Sequence, residues 1–171
     1  LFFVVASRGW FLHHNKDDER PMTEAKSEIA GSLVPMSKQQ AMLMLEAAYL
    51  WMDLGKWDHA RELLQGATVL MPKSEVPQIA LGSLEFNQGH FDKALQVFRR
   101  AQQLAPRASL PRAHAGETLL FLGKVNEAMK DLKSALDLEP GSDGAKFAEA
   151  LIAAKETGAL PPPSKQAPAK K

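Results

Sequence analysis

Three glycines, Gly55, Gly89 and Gly123, stand 34 residues apart, and a fixed company of residues travels with each. Two positions on comes a bulky apolar residue (Trp57, Phe91, Val125), followed by an acid or amide (Asp58, Asp92, Asn126). Next come an alanine (Ala60, Ala94, Ala128), a large apolar residue (Leu64, Phe98, Leu132) and a second alanine (Ala67, Ala101, Ala135). Each unit closes on leucine-x-proline, at Leu70 and Pro72, Leu104 and Pro106, Leu138 and Pro140. A small residue, Ala48, Gly82 or Gly116, stands seven positions before each glycine. A strict period of this length marks a stacked helix-turn-helix array, in which no unit can bury its apolar face alone. Such arrays are built to hold other chains, so the repeat sets the broad class of function before any site is considered.

The pattern predicts first helices over about 38–54, 75–88 and 109–122, with partners over about 57–71, 91–105 and 125–139. Ser37 and Gln40 form a capping box at the first start, while Ser74 and Ser109 are cap candidates for the later ones. The glycines make the turn within each pair, and the prolines end the second helices because they lack an amide hydrogen. Ala48, Gly82 and Gly116 let the paired helices approach, so a leucine at Gly82 is expected to overpack the crossing at a cost of about 1–3 kcal/mol. After Pro140, Ser142 or Asp143 can cap one more helix, over about 143–157, with a single apolar stripe through Phe147, Ala150, Leu151 and Ala154. The expected fold is therefore all-α: a right-handed superhelical stack of three repeats (about 41–74, 75–108 and 109–142) and a C-terminal capping helix, in a domain over 37–158.

The flanks read differently. Residues 1–36 form a largely irregular leader, with a short helix over 23–34 that would cap the other end of the stack, against the grain of Gly31 and Pro35. Leu1 to Ala6 is too short an apolar run to span a bilayer and has no charged leader before it, so no membrane span is read in this chain. Whether Leu1 to Pro21 is native leader or the stub of a longer apolar segment stays open, with Met22 as an alternative start. Residues 159–171, with three consecutive prolines and a lysine end, read as a disordered tail.

The repeat pattern resembles that of the tetratricopeptide repeat over about 41–140, with the small, aromatic, alanine and proline positions in register across three units. Val125 departs from the usual aromatic, and Glu85 and Leu119 stand where tyrosine is common. Within that superfamily the chain is similar to the class II chaperones of type III secretion. The likeness is densest at Pro111, Arg112, His114, Ala115, Glu117, Leu119, Leu120, Gly123, Glu127 and Ala128. It implies a cytosolic holding chaperone that shields a translocator protein until export. The segment before residue 37 does not show the dimerising segment that this likeness implies, which leaves homo-oligomerisation open.

In such arrays the first helices line a concave wall. By register the first unit contributes Met42, Leu45, Tyr49, Met52 and Asp53. The second contributes Val76, Ile79, Ser83, Phe86 and Asn87, and the third Leu110, Ala113, Glu117, Leu120 and Phe121. The candidate peptide-binding set is Met42, Leu45, Tyr49, Met52, Ile79, Ser83, Phe86, Asn87, Leu110, Glu117, Leu120 and Phe121. A wall rich in methionine and aromatics suits an extended apolar segment, with Tyr49 and Phe86 as anchors whose truncation would cost about 2 kcal/mol. Inter-repeat core is an equal explanation for any one of these residues, Leu45 and Leu120 above all. Repeat proteins that grip the acidic tails of heat-shock chaperones use cations on this wall. Here those places hold Leu45, Tyr49, Ala80, Leu110 and His114, so that clamp is missing.

Other chemistry finds little support. With no cysteine, disulfides, thiolate metal sites and cysteine nucleophiles are excluded, and the +1 net charge gives no reason to expect nucleic acid as a partner. The histidines are an adjacent pair (His13, His14) and three singles, without the convergent spacing of a zinc site. His114 is placed to hydrogen-bond Glu117 along one helix face as a structural pair. Arg99, Arg100, Arg107 and Arg112 read as partners of a helix C-terminus rather than a phosphate site. Capping explains Asp58 and Asp92. No phosphate loop, nucleophile elbow or paired-carboxylate motif is present. The sequence thus predicts a binding protein without enzymatic activity, cofactor or metal, whose partner is a protein or extended peptide. A structural adaptor in a larger, membrane-associated assembly is the alternative.

Overall fold

The computed structural model describes residues 37–160, which form seven α-helices. These are α1 (Lys38–Asp53), α2 (Trp57–Leu70), α3 (Val76–Asn87), α4 (Phe91–Leu104), α5 (Leu110–Phe121), α6 (Val125–Leu138) and α7 (Asp143–Glu156). Their ends agree with the expected ranges because the start and stop signals are local. At the start of α1, Ser37 Oγ accepts the Gln40 N–H at 3.2 Å while Gln40 Oε1 accepts the Ser37 N–H at 2.9 Å. At the ends of α1, α3 and α5, Gly55, Gly89 and Gly123 adopt φ of +69°, +76° and +74°. That left-handed step lets the next N–H reach back to a helical carbonyl, as in Lys56 N to Trp51 O (2.8 Å), His90 N to Glu85 O (2.9 Å) and Lys124 N to Leu119 O (2.9 Å).

The helices pair as α1–α2, α3–α4 and α5–α6, and each second helix also packs on the first helix of the next unit. The close approach inside the pairs depends on missing side chains. A Cβ on Gly82 would lie 2.5 Å from Phe98 Cε1, and one on Gly116 would lie 2.6 Å from Leu132 Cδ2. Even alanine would collide there, a tighter fit than the repeat pattern alone conveys. The core falls into three clusters: around Leu45, Leu64 and Leu84, around Ile79 and Phe98, and around Leu119, Leu132 and Leu151. Helix α7 lies on both α5 and α6 and closes the C-terminal end. Ser142 caps it, accepting the Ala145 N–H at 3.2 Å.

Several local readings need correction. The cap of α3 is Glu75, and Ser74 stands one residue outside it, its hydroxyl accepting the Val76 N–H at 3.3 Å. Ser109 holds the cap position of α5 in helical backbone geometry but does not cap with its side chain. Its N–H and hydroxyl instead both donate to Glu139 Oε2, at 2.7 and 2.8 Å. Asp58 and Asp92 sit in the first turns of α2 and α4, behind Lys56 and His90 as cap residues. There they favour the positive end of the helix dipole without capping it. The helix expected over 23–34, and the tail beyond residue 160, lie outside the described residues. Leu160 itself packs against the last core cluster. No helix among the described residues is long and apolar enough to cross a membrane.

Candidate protein-binding surface

The 34-residue register places Tyr49, Ser83 and Glu117 at equivalent points of α1, α3 and α5. Tyr49 hydrogen-bonds Ser83, which joins the first two units. Ser83 Oγ in turn donates to Ile79 O at 3.0 Å. Burial pushes the Tyr49 hydroxyl up to about 12, against the opposing pull of the Ser83 hydrogen bond. Glu117 is buried and lies 3.3 Å from His114 Nδ1, the pair expected from their spacing. The His114 ring stacks on Phe98 at 5.0 Å and tilts against Phe147 at 5.1 Å, so it joins α4, α5 and α7. His114 serves as a packing group.

Met52, Phe86 and Leu120 form the next row, and here the helix ends meet in an aromatic cluster. Phe86 stands edge-on to Phe91 (5.1 Å) and to Phe121 (5.0 Å), while Phe91 and Phe121 stack at 5.4 Å. Phe86 and Phe121 remain half-buried. The structure therefore links Tyr49 with Ser83 and Phe86 with Phe121. Leu45, Met52, Ile79, Leu110 and Leu120 are buried members of the core clusters. Of the remaining candidates, Met42 is half-buried at the start of α1 and Asn87 is exposed at the end of α3. Solvent thus reaches the candidate wall at Met42, Tyr49, Phe86, Asn87 and Phe121, with the other candidates behind or beneath them.

Three charged contacts escaped the sequence reading. Glu85, seen there only as a replacement for tyrosine, is buried and pairs with Arg61 of α2 and with His90 Nδ1 at 2.9 Å. Arg61 also donates to Gln88 Oε1. Arg99 pairs with Asp131 at 2.7 Å, joining α4 to α6, whereas Arg112 donates to Pro106 O at 3.3 Å, beyond the end of α4. Within the arginine group, Arg99 thus makes an ion pair and Arg112 reaches a carbonyl of the connecting segment, not one of the expected helix C-terminus. The third is Glu139 on Ser109, in a position where the other units carry methionine or alanine. An acid at an otherwise apolar place was the available signal for both glutamates; their partners could not be read from it. Among the described residues no group of His, Asp and Glu could hold a metal ion.

Family models of the tetratricopeptide repeat match residues 78–108 and 112–142. Both stretches are tetratricopeptide repeats. The type III secretion translocator chaperone SycD of Yersinia enterocolitica has a similar structure, with a TM-score of 0.64 at 21% identity over 72% of this chain and 96% of that one. PcrH, solved in complex with the chaperone binding region of PopB, gives 0.59 at 23% identity over 68% of this chain and 97% of that one. A structure of PcrH from Pseudomonas aeruginosa gives 0.63 at 22% identity over 75% of this chain and 98% of that one. The first repeat domain of Spaghetti, bound to an HSP90 peptide, gives 0.56 at 24% identity over 68% and 97%. At these identities the likeness establishes the fold. No curated protein sequence matches the chain.

Proposed function

We propose that this chain is a cytosolic holding chaperone that binds an extended apolar segment of a secreted partner along the wall formed by α1, α3 and α5. The observation that carries the reading is the likeness to PcrH over nearly the whole of that chain, in a structure where PcrH holds the chaperone binding region of PopB. The half-buried Met42, Tyr49, Phe86 and Phe121 supply apolar contact, and Asn87 offers an amide to an extended backbone. Affinity then comes from apolar burial and a few hydrogen bonds, with no covalent chemistry. An acidic-tail clamp like that of heat-shock co-chaperones fits less well. It needs cations, and Leu45, Ala80, Leu110 and His114 are buried where they would stand.

The test is calorimetric titration of the full chain with a translocator peptide, beside a Met42→Lys variant. Met42 belongs to none of the core clusters. A charge there should weaken binding by about tenfold or more and leave melting unchanged. Equal affinity in the two proteins would remove Met42 from the binding wall, and the absence of any binding by the parent chain would overturn the chaperone reading.

A further inference from the structure

The two ends of the stack are finished differently. At the C-terminal end α7 covers α5 and α6, but at the other end one side of α1 lies bare among the described residues. Leu43 and Leu50 are 59% and 56% exposed. Their counterparts in the next unit, Pro77 and Leu84, are fully buried, and so are Pro111 and Thr118 in the third. What differs is the neighbour. Helix α3 has α2 packed on it from the preceding unit, and α5 has α4, whereas α1 has no preceding second helix among the described residues.

The missing neighbour has a sequence candidate. Ala25, Ile29 and Ser32 repeat the small, large, small spacing of Ala60, Leu64 and Ala67, which is the spacing that packs each second helix against the first helices. The joins from α2 to α3 and from α4 to α5 are short, cover 71–75 and 105–109, and contain Pro72 and Pro106. A join between residue 34 and α1 would likewise contain a proline, Pro35. We propose that residues 23–34 are the second helix of an incomplete preceding unit and pack on Leu43 and Leu50 of the same chain. The stack then has a cover of its own sequence at both ends.

The chain contains no cysteine, so paired substitutions report proximity without background. In the full chain, Ile29→Cys combined with Leu50→Cys should oxidise to an intramolecular disulfide, seen as a faster-migrating monomer that reverts on reduction. The control pair Ile29→Cys and Val69→Cys, at an exposed site on α2, should stay reduced. Failure of the first pair to link, equal linking of both pairs, or a disulfide-bonded dimer as the main product would each overturn the proposal. The last result would assign the face to a second copy. Separately, Leu50→Asp should lower the melting temperature by roughly 5 °C or more, because it would place a charge in a covered apolar contact. An unchanged melting temperature would contradict the cover.

Discussion

Helices α1 and α5 occupy the same place in their repeats, yet they live in opposite surroundings. Helix α5 is enclosed by α4, α6 and α7, and its residues from Ala113 to Leu120 are all buried. Helix α1 packs on α2 and α3 and shows leucines to solvent. The contrast is sharpest where the first unit exposes Leu50 and the third buries Thr118, whose hydroxyl donates to His114 O at 2.7 Å. Residue type alone would rank those two the other way round. A repeat position therefore fixes which helix a residue sits on and which side it faces, while the number of neighbours in the stack fixes how much it is buried.

The enclosed third unit should be the costly place to disturb. Leu119→Ala removes a fully buried side chain from the last core cluster and should cost about 2–5 kcal/mol in denaturant unfolding. A loss well under 1 kcal/mol would mean that the C-terminal end is loosely packed. Gly144→Ala should come next, at about 1–3 kcal/mol, because its Cβ would fall 2.3 Å from Ser109 Oγ and 2.4 Å from Leu110 N. The first hairpin offers a contrasting glycine. A Cβ on Gly66 of α2 would meet only the flexible end of Met44, at 3.2 Å, so Gly66→Ala should be neutral or stabilise through helix propensity. Equal effects at the two glycines would erase the distinction drawn between the ends.

Smaller effects should come from polar contacts at the helix starts. Glu139→Ala strands the Ser109 N–H and leaves its hydroxyl only Ser142 Oγ, 2.8 Å away, and should cost about 1–2 kcal/mol, measured by melting. Ser37→Ala removes one half of the α1 capping box and should cost about 1 kcal/mol. The least effect at neutral pH belongs to Tyr49, the only tyrosine of the chain, whose ionisation can be followed directly by tyrosinate absorbance. Its midpoint should fall near 12 in the folded protein, against about 10 in denaturant. Because the folded state holds this proton more tightly, its contribution to stability is complete below about pH 10 and is lost as pH rises through 12. Tyr49→Phe should flatten that alkaline loss, whereas a midpoint near 10 in the folded protein would place the hydroxyl in water.

The parts of this molecule that could be read from its sequence are those that short-range rules decide. Ser37 with Gln40, and the glycines of the turns, act on residues within a few positions, so helices and hairpins follow from the period. Pairings across many residues leave no such trace. Nothing in the sequence joins Ser109 to Glu139, or Arg61 to Glu85, because the distance between them is made by folding. The candidate wall falls between these cases. Its register follows from the repeat, but the division between buried Leu45, Ile79 and Leu110 and accessible Met42, Asn87 and Phe121 depends on how neighbouring helices overlap.

The measurement that bears most directly on the binding wall places a photo-crosslinker on single cysteines in this cysteine-free chain. With Asn87→Cys on the wall and Val69→Cys on α2, both at exposed positions, the full chain is mixed with a translocator peptide and illuminated. The account predicts strong crosslinking of the peptide from position 87 and little from 69. Equal yields, or capture only from 69, would show that the partner binds elsewhere and contradict the assignment of the α1, α3 and α5 wall.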